Sequence, residues 1–331
     1  MSYHERWTGA RIERIEDLSP TVRLFEIAPA EGVQAWQPGA HLGVRVRCGE
    51  REEQRHYSLL DLGRDDGRYR IAVRRIEDGL GGSRYMWSLA VGAALEIAQP
   101  QDDFELGLDA PAYVMLAGGI GVTPLLSMAR EVSRRGTAVQ FHYAVRSRAE
   151  AVFAELLGEW LGDGLHLHVS NAGSRLDVDR LVAECRDDAE LYVCGPIGML
   201  DAARTAWQRA GRSAARLRFE SFGSGGHHAN QPFTVSLPRY GLELAVSAHE
   251  SILSVLETAG VETLSGCRRG ECGLCAVDIL ECDESLDHRD VFFSEAQKAD
   301  GKRICTCVSR PTGGRIVIDT DYRGRDARMG S

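Results

Sequence analysis

The sequence predicts a multidomain chain of three unlike folds: a small antiparallel β-barrel, then a parallel α/β sheet, then a compact strand-and-helix module. Three observations carry this. The first hundred residues hold short alternating segments cut by glycine turns. From residue 113 onward, short apolar runs alternate with helical stretches. Near the C-terminus three cysteines fall in the spacing C-x4-C-x2-C. The expected boundaries are 1–108, 109–223, a linker at 224–231, 232–320 and a tail at 321–331.

In the barrel, HLGVRVR (41–47) and YRIAVRR (69–75) read as strands. Gln37-Pro38-Gly39, the run from Gly63 to Gly67, Gly79 and Gly81-Gly82 read as turns between them. Strands at this spacing suit a closed antiparallel sheet. A helix is expected from Ser83 through RYMWSLA.

In the second domain YVMLAGG (113–119) is a buried strand that ends in glycines, and PLLSMAREVSRR is a helix. Strands at 139–145, 165–169 and 189–195 alternate with helices at 149–160, about 177–185 and 196–210. That alternation predicts a parallel sheet covered on both faces. The domain is expected to end near Gly223, followed by the Gly- and His-rich stretch SGGHHANQ, whose His227 and His228 read as solvated.

The third module opens at PFTVSL (232–237), continues with strand LELAV and helix SILSVLETAG, and closes on strand RIVIDT (315–320). Between them lies Cys267-Arg268-Arg269-Gly270-Glu271-Cys272-Gly273-Leu274-Cys275. C-x4-C-x2-C is the spacing of plant-type 2Fe–2S ferredoxins. The chain must wrap tightly round two irons and two sulfides. Glycine permits the positive φ this needs and lets backbone N–H groups approach the sulfurs. Structural zinc sites usually use C-x2–4-C pairs or histidines instead. A fourth thiolate must come from afar, and Cys305 and Cys307 both lie near the expected place. Cys48, Cys185 and Cys282 have no partner at ligand spacing and read as core or surface residues.

Composition narrows the class. Of the 331 residues 44% are hydrophobic and 26% charged, as in ordinary folded proteins. No apolar run reaches the roughly 18 residues a membrane span needs, and the N-terminus lacks a signal-peptide core. The net charge of −9, with no basic tract, argues against nucleic acid as a partner. A cytoplasmic protein is expected, and in that compartment nine cysteines are not a disulfide framework.

Two glycine turns fall at strand ends of the α/β domain. Gly118-Gly119-Ile120-Gly121-Val122-Thr123 opens a helix, and Cys194-Gly195-Pro196 ends a later strand. Glycine lets phosphate approach the backbone, and a helix N-terminus favours negative charge. The G-x-G-x-x-G fingerprint itself is absent. Two such turns on the carboxyl edge of one sheet still point to a nucleotide. In the barrel, Arg55-His56-Tyr57-Ser58 offers a phosphate clamp, a flat stacking ring and a hydroxyl, and Gly81-Gly82-Ser83 a second phosphate cradle. Both are weak signals alone. A nicotinamide, however, gives electrons in pairs and a 2Fe–2S cluster takes one. A flavin can split the pair, and the barrel is the region left to hold it.

At this point the chain resembles the phthalate dioxygenase reductase family, which includes the reductase components of vanillate O-demethylases. The resemblance covers about residues 8–320 and rests on RHYSLL, IAVRR, GGS, AGGIGVTP, YVCGP, FESFG, CRRGECGLC, DHRD and CTCVSRP in that order. It implies a β-grasp, ferredoxin-like third domain, FMN in the barrel and NADH on the α/β domain. Arg55 and Ser83 become phosphate contacts, and Tyr57 and Ser58 lie against the ring, with His56 beside them. Ala72 and Val73 line its edge through backbone groups. Thr123 and Cys194 sit by the nicotinamide, and Phe222 covers the flavin until nicotinamide displaces it. Cys307 becomes the fourth cluster ligand. Leu80 stands where relatives often carry arginine, and Arg84 is the nearest substitute.

The implied activity is hydride transfer from NADH to FMN, then single electrons through the cluster to a terminal Rieske-type oxygenase, with this chain a monomer. Arg146-Ser147, with Arg148, follows a strand at the place where a 2′-phosphate would sit, which keeps NADPH open as donor. Residues 232–320 hold 14 acidic and 9 basic side chains, a net −5 suited to transient docking on a basic surface. A stand-alone reductase of quinones, ferric complexes or oxygen is the competing enzyme, and a redox sensor without turnover the competing non-enzyme.

Overall fold

The structure is a computed structural model that describes residues 6–49, 51–64, 66–77, 79–222, 226 and 228–320. The expected tail, and Gly223, Ser224, Gly225 and His227 of the expected boundary and linker, lie outside the described residues. Contacts divide the chain into two units, one of residues 1–77 and 81–220, the other of 78–80 and 221–331.

The first unit begins with a six-stranded antiparallel sheet. Its strands are β1 (Trp7–Ser19), β2 (Val22–Pro29), β3 (His41–Cys48), β4 (Arg51–Ser58), β5 (Tyr69–Arg74) and β6 (Ala94–Ala98), in the order β4-β3-β6-β1-β2-β5. The sheet curls until its two edges meet. Leu59, just past β4, bridges Ile71 of β5, and Leu60 N–H donates to Arg70 O at 2.9 Å. Closure hides the unpaired edges. The core is the inward row Ile12, Phe25, Ile27, Leu42, Val44, Ile71 and Ile97, each essentially without exposure. Helix α1 (Gly82–Ser88) sits between β5 and β6 as expected. Its Trp87 indole donates to Val73 O at 3.0 Å, and Arg23 lies over the ring at 4.3 Å.

The same unit contains the parallel sheet: β7 (Ala112–Gly118), β8 (Ala138–Val145), β9 (Leu165–Val169), β10 (Glu190–Cys194) and β11 (Leu217–Glu220). The order is β11-β10-β7-β8-β9, so the chain reverses direction across the sheet between β7 and β10. All seven residues of β7 are buried, as a central strand covered on both faces requires. The helices are α2 (Val122–Arg134), α3 (Ala154–Leu161), α4 (Val178–Glu184) and α5 (Ile197–Arg209). The helix expected from 149 begins only at Ala154. Phe153 takes φ 66°, a left-handed conformation that cannot sit inside a right-handed helix, so residues 148–150 form a separate 3-10 turn. Asp177 caps α4 by accepting from Arg180 N–H.

The second unit holds a mixed five-stranded sheet, ordered β13-β12-β18-β14-β16, with one helix against it. Its elements are β12 (Phe233–Leu237), β13 (Leu242–Val246), α6 (Ile252–Thr258), β14 (Ala276–Cys282), β15 (Leu286–Asp287), α7 (Glu295–Asp300), β16 (Arg303–Cys305), β17 (Arg310–Pro311) and β18 (Arg315–Asp319). The closing strand β18 runs parallel to β12 and antiparallel to β14, which places the end of the chain in the middle of the sheet. Ser251 and Ser254 form a reciprocal cap at the start of α6.

The stretch read as a linker is strapped to this unit. Arg289 donates to Asn230 Oδ1 at 2.7 Å and to His228 O at 3.2 Å, and Arg310 donates to Gln231 O at 2.7 Å. Both arginines are buried. Asp287-His288-Arg289-Asp290 is therefore a buried structural network: Asp287 pairs with Arg289 at 2.6 Å, and Asp290 accepts from Ser309 at 2.8 Å. A buried guanidinium and carboxylate hold each other in place where neither is stable alone.

Candidate functional site

The chain must bring four sulfurs together to hold a 2Fe–2S cluster, and the loop after α6 is shaped to do so. Gly270 and Gly273 take φ 78° and 69°, and Arg268 takes φ 51°. A Cβ on Gly273 would stand 2.3 Å from the Phe292 ring, and one on Gly270 2.6 Å from Val308. The turn therefore needs glycine for both its dihedrals and its room. Its backbone points inward. The N–H groups of Arg269, Glu271 and Cys272 reach Cys267 Sγ at 3.4, 3.3 and 3.4 Å. Such donors stabilise negative charge on a thiolate.

Cys275 is buried, and the sulfurs of Cys305 and Cys307 both hydrogen-bond it and hold it far below the ordinary thiol value. The two neighbours differ in what else they face. Cys307 also senses Cys267 and accepts from Gly270 N–H in the loop; the Cys275 sulfur and burial push it up. Cys305 is pushed up by Cys275, burial and the Asp290 carboxylate, is completely buried in strand β16, and packs beside Ala276. Cys272 is exposed, and Cys267 is partly so. Cys267 faces Cys272, and Cys275 faces Cys305 and Cys307; among the described residues no three of these side chains close into a metal-holding group, but the chemistry of the thiols and the inward N–H groups fits a 2Fe–2S cluster.

In the first unit the two glycine turns touch. A Cβ on Gly121 would lie 2.2 Å from Cys194 O and 2.8 Å from Gly195 N; one on Gly118 would lie 2.5 Å from the Pro196 ring. Cys194 pairs in register with Ala117 on one side and with Glu220 on the other. This is the carboxyl edge of the sheet at its reversal point, the usual place for a ligand in open α/β folds. Thr123 and Cys194 are both buried there. Arg146 is exposed and Ser147 partly buried, at the end of β8 on the same edge. Glu220, only 1% exposed, was not anticipated from sequence; its adjacency to Cys194 appears only once β10 and β11 pair.

The end of β4 meets the start of α2. Thr123 Oγ1 lies 3.4 Å from Ser58 Oγ and donates to Ile120 O at 2.9 Å. Ser127, also not anticipated, donates to Leu59 O and accepts from Asp61 N–H, at 2.9 and 3.0 Å. Ser58 and Thr123, 65 residues apart in sequence, thus share one buried spot.

The other barrel residues lie round α1. Arg55 pairs with Glu53 at 2.6 Å, donates to Gln54 O at 2.8 Å, and crosses the start of α1, where a Cβ on Gly82 would meet it at 2.6 Å. Gly81 takes φ 87°, and Ser83 Oγ accepts from Ile76 N–H at 3.1 Å. Burial pushes the Tyr57 phenol up, with the Arg55 charge working against it. His56 packs edge-on against His41 at 4.7 Å. Ala72 and Val73 are buried in β5, and Val73 commits its carbonyl to Trp87. The glycine cradle, the guanidinium over it and the enclosed phenol fit a phosphate-bearing flavin. Phe222 follows β11 and is partly buried in the second unit; its neighbour Ser221 donates its N–H to Glu271 of the cysteine loop at 2.6 Å.

Known domain families match each part. The oxidoreductase FAD-binding domain family matches residues 9–106, the oxidoreductase NAD-binding domain family 115–205, and the 2Fe-2S iron-sulfur cluster binding domain family 237–312. The carnitine monooxygenase reductase subunit of Escherichia coli (strain K12) is 35% identical over 316 residues, covering 93% of this chain and 97% of that protein. The heme-dependent oxidative N-demethylase beta subunit of Ectopseudomonas mendocina (strain ymp) is 35% identical over 311 residues, covering 93% and 97%. Among solved structures, phthalate dioxygenase reductase, titled as a modular structure for electron transfer from pyridine nucleotides to [2Fe-2S], superposes with a TM-score of 0.75. It is 30% identical, over 95% of this chain and 98% of that one.

Proposed function

Because the chain belongs to the phthalate dioxygenase reductase family of oxidoreductases with flavin, NAD-binding and 2Fe–2S domains, we propose that it carries electrons from NADH, through FMN and the cluster, to a Rieske-type terminal oxygenase. The single observation that carries this is the full-length match: a relative named as a carnitine monooxygenase reductase subunit aligns along 97% of its own length.

The bound cofactors supply the redox chemistry, two electrons taken as hydride and released singly. The side chains supply place and polarity. Cys267, Cys272, Cys275 and Cys307 hold the cluster; the Gly270 N–H that Cys307 accepts from, and the electrostatic influence of Cys267 on it, support it over Cys305. Arg55, Ser83 and the Gly81-Gly82 turn receive the flavin phosphate, and Tyr57, Ser58, His56 and the backbone of Ala72 and Val73 surround its ring. Gly118, Gly119, Gly121, Gly195 and Pro196 bring the dinucleotide close to the backbone. Thr123 and Cys194 border the nicotinamide, Arg146 and Ser147 the adenosine ribose, and Phe222 shields the flavin. Ser58 and Thr123, in contact, set the flavin edge against the nicotinamide edge. The domain boundaries that go with this are 1–108, 109–223, 224–231, 232–320 and 321–331.

The acceptor follows from potentials. Plant-type clusters lie near about −400 mV and Rieske centres from about −150 mV upward, a gap worth roughly four decades for one electron. An acidic donor module, net −5 over 232–320, favours transient docking on a basic face. The name of the N-demethylase relative supports a second acceptor class, a heme-dependent oxidative demethylase. Among the described residues no helix is long and apolar enough to cross a membrane; cysteines without disulfides and a nicotinamide donor suit the cytoplasm, and the chain is read as a monomer.

The test is steady-state NADH oxidation by the holoenzyme with a Rieske oxygenase, a heme-dependent demethylase, cytochrome c or quinone as acceptor. The proposal expects a Rieske component to raise turnover above the small-acceptor rate. If none does, the partner assignment fails. Released flavin identified by chromatography decides FMN against FAD, and the kcat/KM ratio decides NADH against NADPH.

A further inference from the structure

Helix α2 carries three polar side chains on one stripe, Thr123, Ser127 and Arg130, at steps of four and three residues. All three meet the barrel segment at the end of β4. Thr123 Oγ1 lies 3.4 Å from Ser58 Oγ. Ser127 donates to Leu59 O at 2.9 Å and accepts from Asp61 N–H at 3.0 Å. Arg130 pairs with the Asp61 carboxylate, which also accepts from Gly63 N–H at 2.9 Å. Residues 58–61 are thus held at three points along two turns of α2, about 10 Å of helix at about 1.5 Å per residue.

Ser127 is the middle point, and its hydroxyl is used in an uncommon way. A serine inside a helix often bonds back to a carbonyl of its own helix one turn earlier. The Ser127 side chain, only 1% exposed, instead joins two backbone groups of another element. Leu59 cannot yield to it. The Leu59 N–H donates to Ala40 O at 2.8 Å, the residue bridges Ile71 where the barrel closes, and its side chain is fully buried. A hydroxyl tied both as donor and as acceptor fixes a distance and a rotation together. It therefore holds α2 both along and about its axis against the end of β4.

Each side of this contact leads to one of the proposed cofactor sites. Helix α2 opens from the turn of Gly119–Gly121, assigned to the dinucleotide. Strand β4 ends on Tyr57 and Ser58, assigned to the flavin ring. Ser127 belongs to neither site. It stands one helical turn behind Thr123, and its acceptor Leu59 directly follows Ser58.

We infer that Ser127 is a positioning residue for hydride transfer: it locks the helix behind the nucleotide turn to the strand end behind the flavin, and so sets the separation of the two rings. This rests on the reading of the two domains as NADH and flavin sites. Hydride passes when the reacting atoms stand about 3–3.5 Å apart, and an error of about 1 Å can cost about 100-fold in rate. Ser133 supplies the control. It lies on the same helix, and its hydroxyl donates to Trp160 O of α3 at 2.8 Å, a partner within the α/β domain.

The experiment mixes wild-type holoenzyme and its Ser127→Ala, Ser127→Thr and Ser133→Ala variants anaerobically with NADH, and with NADH deuterated at the transferred position. Flavin bleaching is followed by stopped flow. The inference expects Ser127→Ala to lower the limiting rate about 10- to 100-fold, with the Kd for NADH unchanged and a deuterium isotope effect at least as large as in wild type. Exchange of the Asp61 amide accelerates, because its acceptor is gone. Ser127→Thr, which keeps a hydroxyl, recovers part of the rate. Both alanine variants melt about 2–4 °C lower, each having lost side-chain hydrogen bonding, yet Ser133→Ala bleaches at the wild-type rate. A wild-type limiting rate in Ser127→Ala overturns the inference. So do equal rate losses in the two alanine variants, which would report stability alone, and a raised Kd at an unchanged rate, which would place Ser127 in binding. If Ser127→Ala does not fold, Ser127→Cys, similar in size but a weak donor, is judged by the same outcomes. A wild-type holoenzyme whose flavin NADH does not bleach refutes the underlying reading instead.

Discussion

Gly121→Ala tests whether the two glycine turns form one nucleotide site. The added methyl would stand 2.2 Å from Cys194 O and 2.5 Å from its carbonyl carbon, where ordinary contact starts at 3.4 Å. Both sides of the clash are backbone, so no side chain can swing away. The corner between β7 and α2 must shift by about an ångström, since overpacking is relieved by backbone movement at about 1–3 kcal/mol. The φ of Gly121 is −62°, so alanine adds no dihedral strain and the effect is purely steric. For a unit of this size each kcal/mol lowers the melting temperature by about 2–4 °C. A misplacement of about 1 Å at a reacting centre can cost about 100-fold in rate. The assay is NADH–ferricyanide kcat/KM beside calorimetry, with flavin and iron content as controls. Gly198→Ala, inside α5 with no atom near its new methyl, should be neutral or slightly stabilising. Wild-type kcat/KM and melting in Gly121→Ala would refute the close approach of the turns.

Three other substitutions follow. Cys307→Ser should abolish the visible and EPR signals of the cluster while NADH still bleaches the flavin, and Cys305→Ser should leave both intact; the reverse pattern would exchange the ligand assignment. His142 is stacked against His166 and His168, and burial with those two neighbours holds it down at about 4 from 6.5; Glu184 opposes them. Its folded pKa lies below its unfolded one, so its neutral form supports the fold above about pH 6.5 and that support is lost as pH falls toward 4. Discounted for its remaining exposure the loss is about 2 kcal/mol. Hydrogen exchange of β8 and β9 amides at pH 5 and 7 should show a smaller acid loss in His142→Gln than in wild type; an equal loss in both would remove His142 as the cause.

The 2Fe–2S domain was the most legible part of the chain, because cysteine spacing is local and the loop's glycines lie between the cysteines. The α/β sheet was nearly as clear: four strands of five to eight residues alternate with helices, and the glycine turns mark the strand ends, whereas the four-residue edge strand β11 was not read from sequence. What sequence could not supply was lateral pairing. Glu220 gains its meaning only from β11 lying beside β10, and Ser127 only from α2 reaching Leu59. The helix over 149–153 failed because the apolar period runs straight through Phe153, while its left-handed backbone is set by packing. The Gly- and His-rich stretch read as a free linker by composition, but two arginines 59 and 79 residues away along the chain take hold of it.

The central claim is an order of events: nicotinamide, then flavin, then cluster, then partner. Anaerobic stopped-flow mixing of the oxidised holoenzyme with NADH, followed by optical absorbance and by freeze-quench EPR, measures that order directly. The account predicts flavin bleaching first, a reduced 2Fe–2S signal next, and decay of that signal when an oxidised Rieske oxygenase is added. A cluster that stays oxidised while the oxygenase is reduced would contradict it.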